Sequence, residues 1–182
     1  MENSIEVKNL SKKYKDFELK NISFNVPKGS IVGFIGENGA GKTTTIKSIL
    51  NIANFEEGTI NVLGKNIKTN EKEIKENIGV VLDDSFLSEY LNAKQINSIM
   101  KSFYKNHNEE KYFEYIKRFK LPLNKLIKEY SSGMKMNLKI AAAISHNPKL
   151  LILDEPTSGL DPIIRNEILD IFRNYIEEDE SR

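Results

Sequence analysis

The chain has 182 residues, 39% hydrophobic and 29% charged, which are the proportions of a soluble globular domain long enough to bury a core. Its 27 basic and 26 acidic residues leave a net charge of +1, so there is no broad basic field and no nucleic-acid partner is expected. The absence of cysteine excludes disulfides, zinc–cysteine sites and thiol catalysis.

The opening MENSIEVKNL has no apolar signal core, and no apolar run approaches membrane-spanning length. We therefore expect a cytoplasmic chain whose membrane role comes through a partner. SIEVKNL and FELKNISFNV alternate, which predicts two strands with one buried face each. PKG at 27–29 reads as a turn, and SIVGFIG at 30–36 predicts a short strand buried on both faces. In the GKTTTIKSILNIAN segment, Ile46, Ile49, Leu50 and Ala53 fall at i, i+3, i+4 and i+7, the apolar face of a helix. Residues 58–82 return to strand-like patterning with turns at Gly58 and Gly64. From about 86 to 130 the pattern is helical. Ile96, Ile99, Met100, Phe103 and Tyr104 share one face, and Tyr112, Tyr115, Ile116 and Phe119 share another after an Asn108 cap. These aromatics are expected in the core. LLILD at 150–154 predicts another buried strand, and DPIIRNEILDIFRNYI a closing helix capped by Asp161 with Pro162 in its first turn. His107 and His146 lie in polar surroundings without metal-ligand spacing and are expected at the surface.

GENGAGKT, residues 36–43, fits G-x-x-x-x-G-K-[ST] in full, after an expected strand and at the start of an expected helix. Its glycines let successive N–H groups turn inward towards phosphate oxygens, and the helix start adds positive potential. Lys42 can reach the β- and γ-phosphates of a nucleotide, and Thr43 can place its hydroxyl on Mg²⁺. In LLILDE, Asp154 at the strand end can hold the Mg²⁺ shell and Glu155 can polarise the attacking water. A chance glycine turn and a solvated Asp-Glu loop are the plain alternatives. Each motif weakens the alternative for the other.

GENGAGKTT, then YSSGMKM, then LLILDEPTSGLDP closely resemble the nucleotide-binding domain of ATP-binding cassette (ABC) transporters, over nearly the whole chain. The resemblance implies an α/β fold: a P-loop NTPase (RecA-like) core, an antiparallel β subdomain near the N-terminus and a helical subdomain at about 84–147, in a single domain spanning 1–182. It implies ATP and Mg²⁺ as ligands. Gly36, Glu37, Asn38, Gly39, Ala40, Gly41, Lys42, Thr43 and Thr44 match the phosphate loop. Tyr14 matches the aromatic that stacks on adenine, although a half-buried strand tyrosine is a rival reading. Asp154 matches the magnesium-linked aspartate and Glu155 the catalytic glutamate. Ser158 to Asp161 match the loop along the dimer interface, and residues 131–134, SSGM, match the signature usually written SGGQ. Ser131 and Gly133 are its phosphate-facing positions, and Ser131 or Ser132 also suits a helix cap.

The sequence departs from the family pattern at Ser132 and Met134, and at Asp83, which stands where the family usually has a glutamine. A carboxylate at Asp83 can bind Mg²⁺ or water but cannot donate as an amide does. The strand and switch histidine that the family places further on would lie beyond Arg182, so the chain is expected to be C-terminally incomplete and weak or inactive as an ATPase alone. The implied partners are a transmembrane permease subunit and a second nucleotide-binding domain in an ATP-dependent head-to-tail dimer. Permease docking is expected near Phe86, Leu87, Tyr90 and Leu91, which also suit core packing. The expected function is an ATPase that powers a membrane transporter at the inner face of the membrane; SSGMK, with Asp83 at the glutamine position, resembles bacterial exporter-type cassettes, including those that remove antimicrobial peptides. The alternatives are a soluble ABC ATPase acting on ribosomes, DNA or metal-cluster assembly, and a regulatory nucleotide-binding module without turnover.

Overall fold

Two alternating segments open the chain as β1 (Asn3–Lys13) and β2 (Glu18–Pro27), paired antiparallel. This computed structural model describes residues 2–15, 17–82, 87–156 and 162–177. The chain divides into two compact units, one through Lys75 and one from Glu76. In the first, β1 also pairs with β3 (Glu57–Val62), which pairs with β4 (Lys65–Asn66), giving a four-stranded antiparallel sheet in the order β2-β1-β3-β4. The alternation explains the layer: Ile5, Val7, Leu10, Ile60 and Val62 are buried. Each such side chain contributes about 1.5–3 kcal/mol by leaving water. Helix α1 (Lys42–Ile49) buries Ile46 and Ile49, and Leu50 at its C-cap, as the helical spacing requires. Ala53 lies beyond the helix and is only half-buried.

Two expectations are corrected here. Residues 30–36 form no strand, and all are exposed, with Ile35 at 94%. Among the described residues no strand pairs with them. Without a ladder to satisfy its backbone groups, an apolar run has no reason to settle as a strand. Phe34 lies beside the ring of Phe24 on β2, at 5.4 Å between centroids. The strand-like pattern of 58–82 is interrupted by a helix, α2 (Glu71–Glu76), whose Ile74 is buried. Glu71 and Lys75 pair across one turn, and Glu71 also accepts from Asn51.

In the second unit, β5 (Ile78–Val81) pairs parallel with β6 (Leu150–Leu153). Around them stand α3 (Ala93–Phe103), α4 (Glu109–Arg118), α5 (Ser132–Ile144) and α6 (Pro162–Glu177), with a 3₁₀ turn at Ile127–Glu129. Helix α3 starts on a capping box, Asn92 with Gln95, and α4 on the expected Asn108 cap. One continuous core joins Val81, Ile96, Tyr112, Ile116, Leu138, Ile140, Ile171 and Phe172. Tyr112 donates its hydroxyl to the Ala93 carbonyl. Three further expectations change. Phe103 is 75% exposed and Ile99 is exposed, because the inward stripe of α3 runs through Ala93, Ile96, Asn97 and Met100. Strand β6 is half-buried, with only Ile152 fully covered. His146 is 1% exposed and His107 half-buried, so neither is a freely solvated surface side chain. The Asp161 cap lies outside the described residues.

Candidate nucleotide-binding site

The phosphate loop belongs to the first unit. Gly39 and Gly41 take left-handed φ values of 84° and 91°, a conformation that glycine adopts without strain. Ala40 N–H donates to the Glu37 carbonyl and closes the loop. Helix α1 then starts at Lys42 with Gly41 as its N-cap and no side-chain cap. Its first intrahelical bond is Thr45 N–H to the Gly41 carbonyl at 2.8 Å. The N–H groups of Lys42, Thr43 and Thr44 precede that bond and have no intrahelical acceptor, which suits an anion. The Lys42 ammonium donates to the Gly36 and Glu37 carbonyls at 2.7 and 2.9 Å, folding over the loop as an ion held by neutral acceptors. Thr43 is exposed. A Cβ on Gly41 would stand 2.6 Å from Phe17 Cζ and closer still to Leu19 Cδ2, so the last loop glycine is also a packing requirement.

Tyr14 lies just past β1 and is 46% exposed. Its backbone N–H donates to the Phe17 carbonyl, and the two rings lie 6.3 Å apart between centroids. Tyr14 is thus exposed and outside the strand, and ring area remains open to a planar ligand.

The remaining candidates belong to the second unit. Asp154 follows β6, and its N–H extends the ladder to the Val81 carbonyl at 2.8 Å. Its side chain is 4% exposed. A carboxylate at the end of a strand has the oxygen donors that a hard cation such as Mg²⁺ takes. Glu155 is exposed with φ 48°, a left-handed value that costs a non-glycine residue energy, next to Pro156. Glu155 follows the C-terminal end of β6 by two residues.

Ser131 caps α5: its Oγ accepts from Met134 N–H at 3.2 Å. The hydroxyl hydrogen stays available as a donor. Gly133 is buried in the first turn, and Met134 packs on the helical core, which gives this departure from the SGGQ pattern a structural use. Lys135 pairs with Glu89 at 2.8 Å and holds its carboxyl below the usual range, and Lys139 donates to the Leu82 carbonyl. Sequence reasoning missed both lysine ties. Leu87 and Leu91 are partly buried on the core, while Tyr90 is 74% exposed. Asp83, Phe86 and residues 158–161 lie outside the described residues. Among the described residues no helix is long and apolar enough to cross a membrane.

A glycine-rich loop opening an uncapped helix, an antiparallel sheet and a parallel β5–β6 pair ending in Asp154 define a P-loop NTPase fold. Structural comparison agrees: the ATP-binding subunit of an ABC transporter matches with a TM-score of 0.84 at 29% identity, over 96% of this chain and 75% of that one. A dimeric bacterial ABC transporter cassette shares the fold, with a TM-score of 0.85 at 24% identity over 97% and 84%. The family model for ABC transporters matches residues 19–158, and the chain belongs to that family. It is 42% identical over 173 residues to the bacitracin transport ATP-binding protein BcrA of Enterococcus faecalis, covering 92% of this chain and 56% of that protein. To the daunorubicin/doxorubicin resistance ATP-binding protein DrrA of Streptomyces peucetius it is 34% identical over 181 residues, covering 96% and 54%. The chain thus spans little more than half the length of these curated relatives.

Proposed function

We propose that this chain is the ATP-binding and ATP-hydrolysing cassette of a membrane transporter, an exporter of the kind that expels antimicrobial peptides or drugs. The observation that carries it is the start of α1, where left-handed Gly39 and Gly41 lead into a helix with no side-chain cap. Two relatives are named for bacitracin transport and for daunorubicin/doxorubicin resistance, which supports the exporter class. Residues Gly36 to Thr44 bind the triphosphate, and Lys42 exchanges its two carbonyl acceptors for β- and γ-phosphate oxygens. Tyr14 stacks on adenine. Thr43 and Asp154, with Asp83, would hold Mg²⁺, which supplies charge neutralisation on the β- and γ-phosphates when bound. Glu155 orients and polarises the attacking water. Ser131 and Gly133 of one cassette face the phosphate held by a second cassette in a head-to-tail dimer. A permease subunit holds the cassette at the inner face of the membrane.

Calorimetry and turnover of the full-length protein test this reading. Lys42→Ala loses a charge-assisted contact and binds ATP about tenfold to a hundredfold more weakly. Glu155→Gln retains ATP binding but loses turnover by about 10²–10⁴, because an amide is a poor base. Equal ATP affinity in Lys42→Ala, or wild-type turnover in Glu155→Gln, overturns the assignment of that residue. An adjacent reading frame for a polytopic membrane protein supports the transporter; a second cassette on the same chain favours a soluble ATPase.

A further inference from the structure

Lys12 is the only buried lysine among the described residues, at 8% exposure. Burying an ammonium is costly unless something compensates. Its Nζ donates to the Asn54 carbonyl and stands 4.5 Å from the centroid of the Tyr14 ring. Among the described residues no carboxylate pairs with it. The cation is therefore held between a carbonyl and an aromatic face. Lys12 is on β1 and Tyr14 lies just beyond its end, so the two are close in sequence as well as in space. Tyr14 is tied in turn to Phe17, whose ring packs on Gly41, the last glycine of the phosphate loop. Lysine, tyrosine, phenylalanine and loop thus form one contiguous chain within the first unit.

We propose that Lys12 is a positioning residue for the purine base: its ammonium holds one face of the Tyr14 ring so that the ring is already set when adenine stacks on it. The inference rests on the reading above that Tyr14 takes the adenine of a nucleotide bound at the phosphate loop. The physical gain is preorganisation. An exposed tyrosine free to rotate loses rotamer entropy when a base stacks on it, and a ring clamped by a cation has lost most of that freedom beforehand. The cation–π contact is stronger here than on an open surface because the ammonium is largely desolvated.

The experiment measures binding of ATP and of inorganic tripolyphosphate to the full-length protein by calorimetry. Tripolyphosphate reports the phosphate loop without the base. Lys12→Met is expected to weaken ATP binding about threefold to tenfold, a typical cation–π contribution, with tripolyphosphate binding unchanged. Lys12→Gln keeps a donor for Asn54 and removes the charge; it shows the same loss and decides the matter if Lys12→Met does not fold. Lys12→Arg restores ATP affinity. In a Tyr14→Ala background, Lys12→Gln causes no further loss, because the effect passes through the ring. Equal weakening of ATP and tripolyphosphate, an undiminished loss in the Tyr14→Ala background, or unchanged ATP affinity in Lys12→Gln overturns the proposal. If the wild-type protein binds neither ligand, the ATP-binding reading itself fails, and the inference falls with it.

Discussion

His146 lies just past α5, with its ring stacked on Tyr104 at 3.9 Å and its Nε2–H donated to the Ile78 carbonyl. Its Nδ1 is buried and has no hydrogen-bond partner among the described residues. Burial pushes the imidazole down to about 4; the Ile78 bond opposes this, and His107 adds to it. An unfolded chain binds a proton at His146 near the ordinary value of 6.5, whereas the folded chain binds it only near 4. Folding stability is therefore undiminished by this group above pH 6.5 and falls as pH drops from there through 4. The loss reaches about 3 kcal/mol. Urea denaturation at pH 7 and pH 5 checks this: His146→Gln is expected to show a smaller drop between the two than wild type. The same burial was hidden in the sequence, where His146 sits between Ser145 and Asn147 and looks solvated. Asn108 was legible by contrast, because capping is a contact three residues long.

At the scale of elements, β5 and β6 run in parallel register from Ile78 opposite Leu150 to Val81 opposite Leu153. Gly79 lies under the end of α5. A Cβ there would meet the Ala143 carbonyl, with Leu151 Cδ2 at 2.5 Å and Pro148 Cγ at 2.9 Å. The helix end thus approaches the strand so closely that only hydrogen fits. Gly79→Val is expected to lower stability by about 1–3 kcal/mol through overpacking, seen as a lower urea midpoint at unchanged slope. An unchanged midpoint would show that α5 shifts without cost. The element types of α3, α4 and α5 follow from apolar spacing and caps. The core face of α3 does not, since Ile99 and Phe103 fit the same stripe as Ile96 and yet remain exposed. Periodicity defines a stripe about a helix, but its neighbours choose which part is covered.

At the scale of the whole molecule, the proposed dimer turns on the start of α5. Ser131 is exposed and already caps its own helix. A positive helix end with an exposed serine suits a phosphate from a second molecule. Ser131→Arg is expected to leave the ATP affinity of the monomer nearly unchanged while blocking ATP-driven dimerisation in a Glu155→Gln background. Size-exclusion chromatography alongside nucleotide titration measures both. Dimerisation of the variant with ATP, or loss of ATP binding by its monomer, would leave the serine as a helix cap only.

The sequence by itself determined the parts whose physics is local: the glycine turns and lysine of residues 36–43, the alternating strands β1 and β2, the cap at Asn108, a serine cap at 131 or 132, and the Asp154–Glu155 pair after an apolar strand. Each depends on residues a few positions apart. Tertiary structure alone decided that residues 30–36 lie exposed with no ladder among the described residues, that His146 is buried, that Gly79 must lack a side chain, and that the Lys12 ammonium sits between the Asn54 carbonyl and the Tyr14 ring. A strand needs partners for its backbone groups, and a buried charge needs an acceptor. Here these partners, where the structure supplies them, come from distant parts of the chain, which no local pattern encodes.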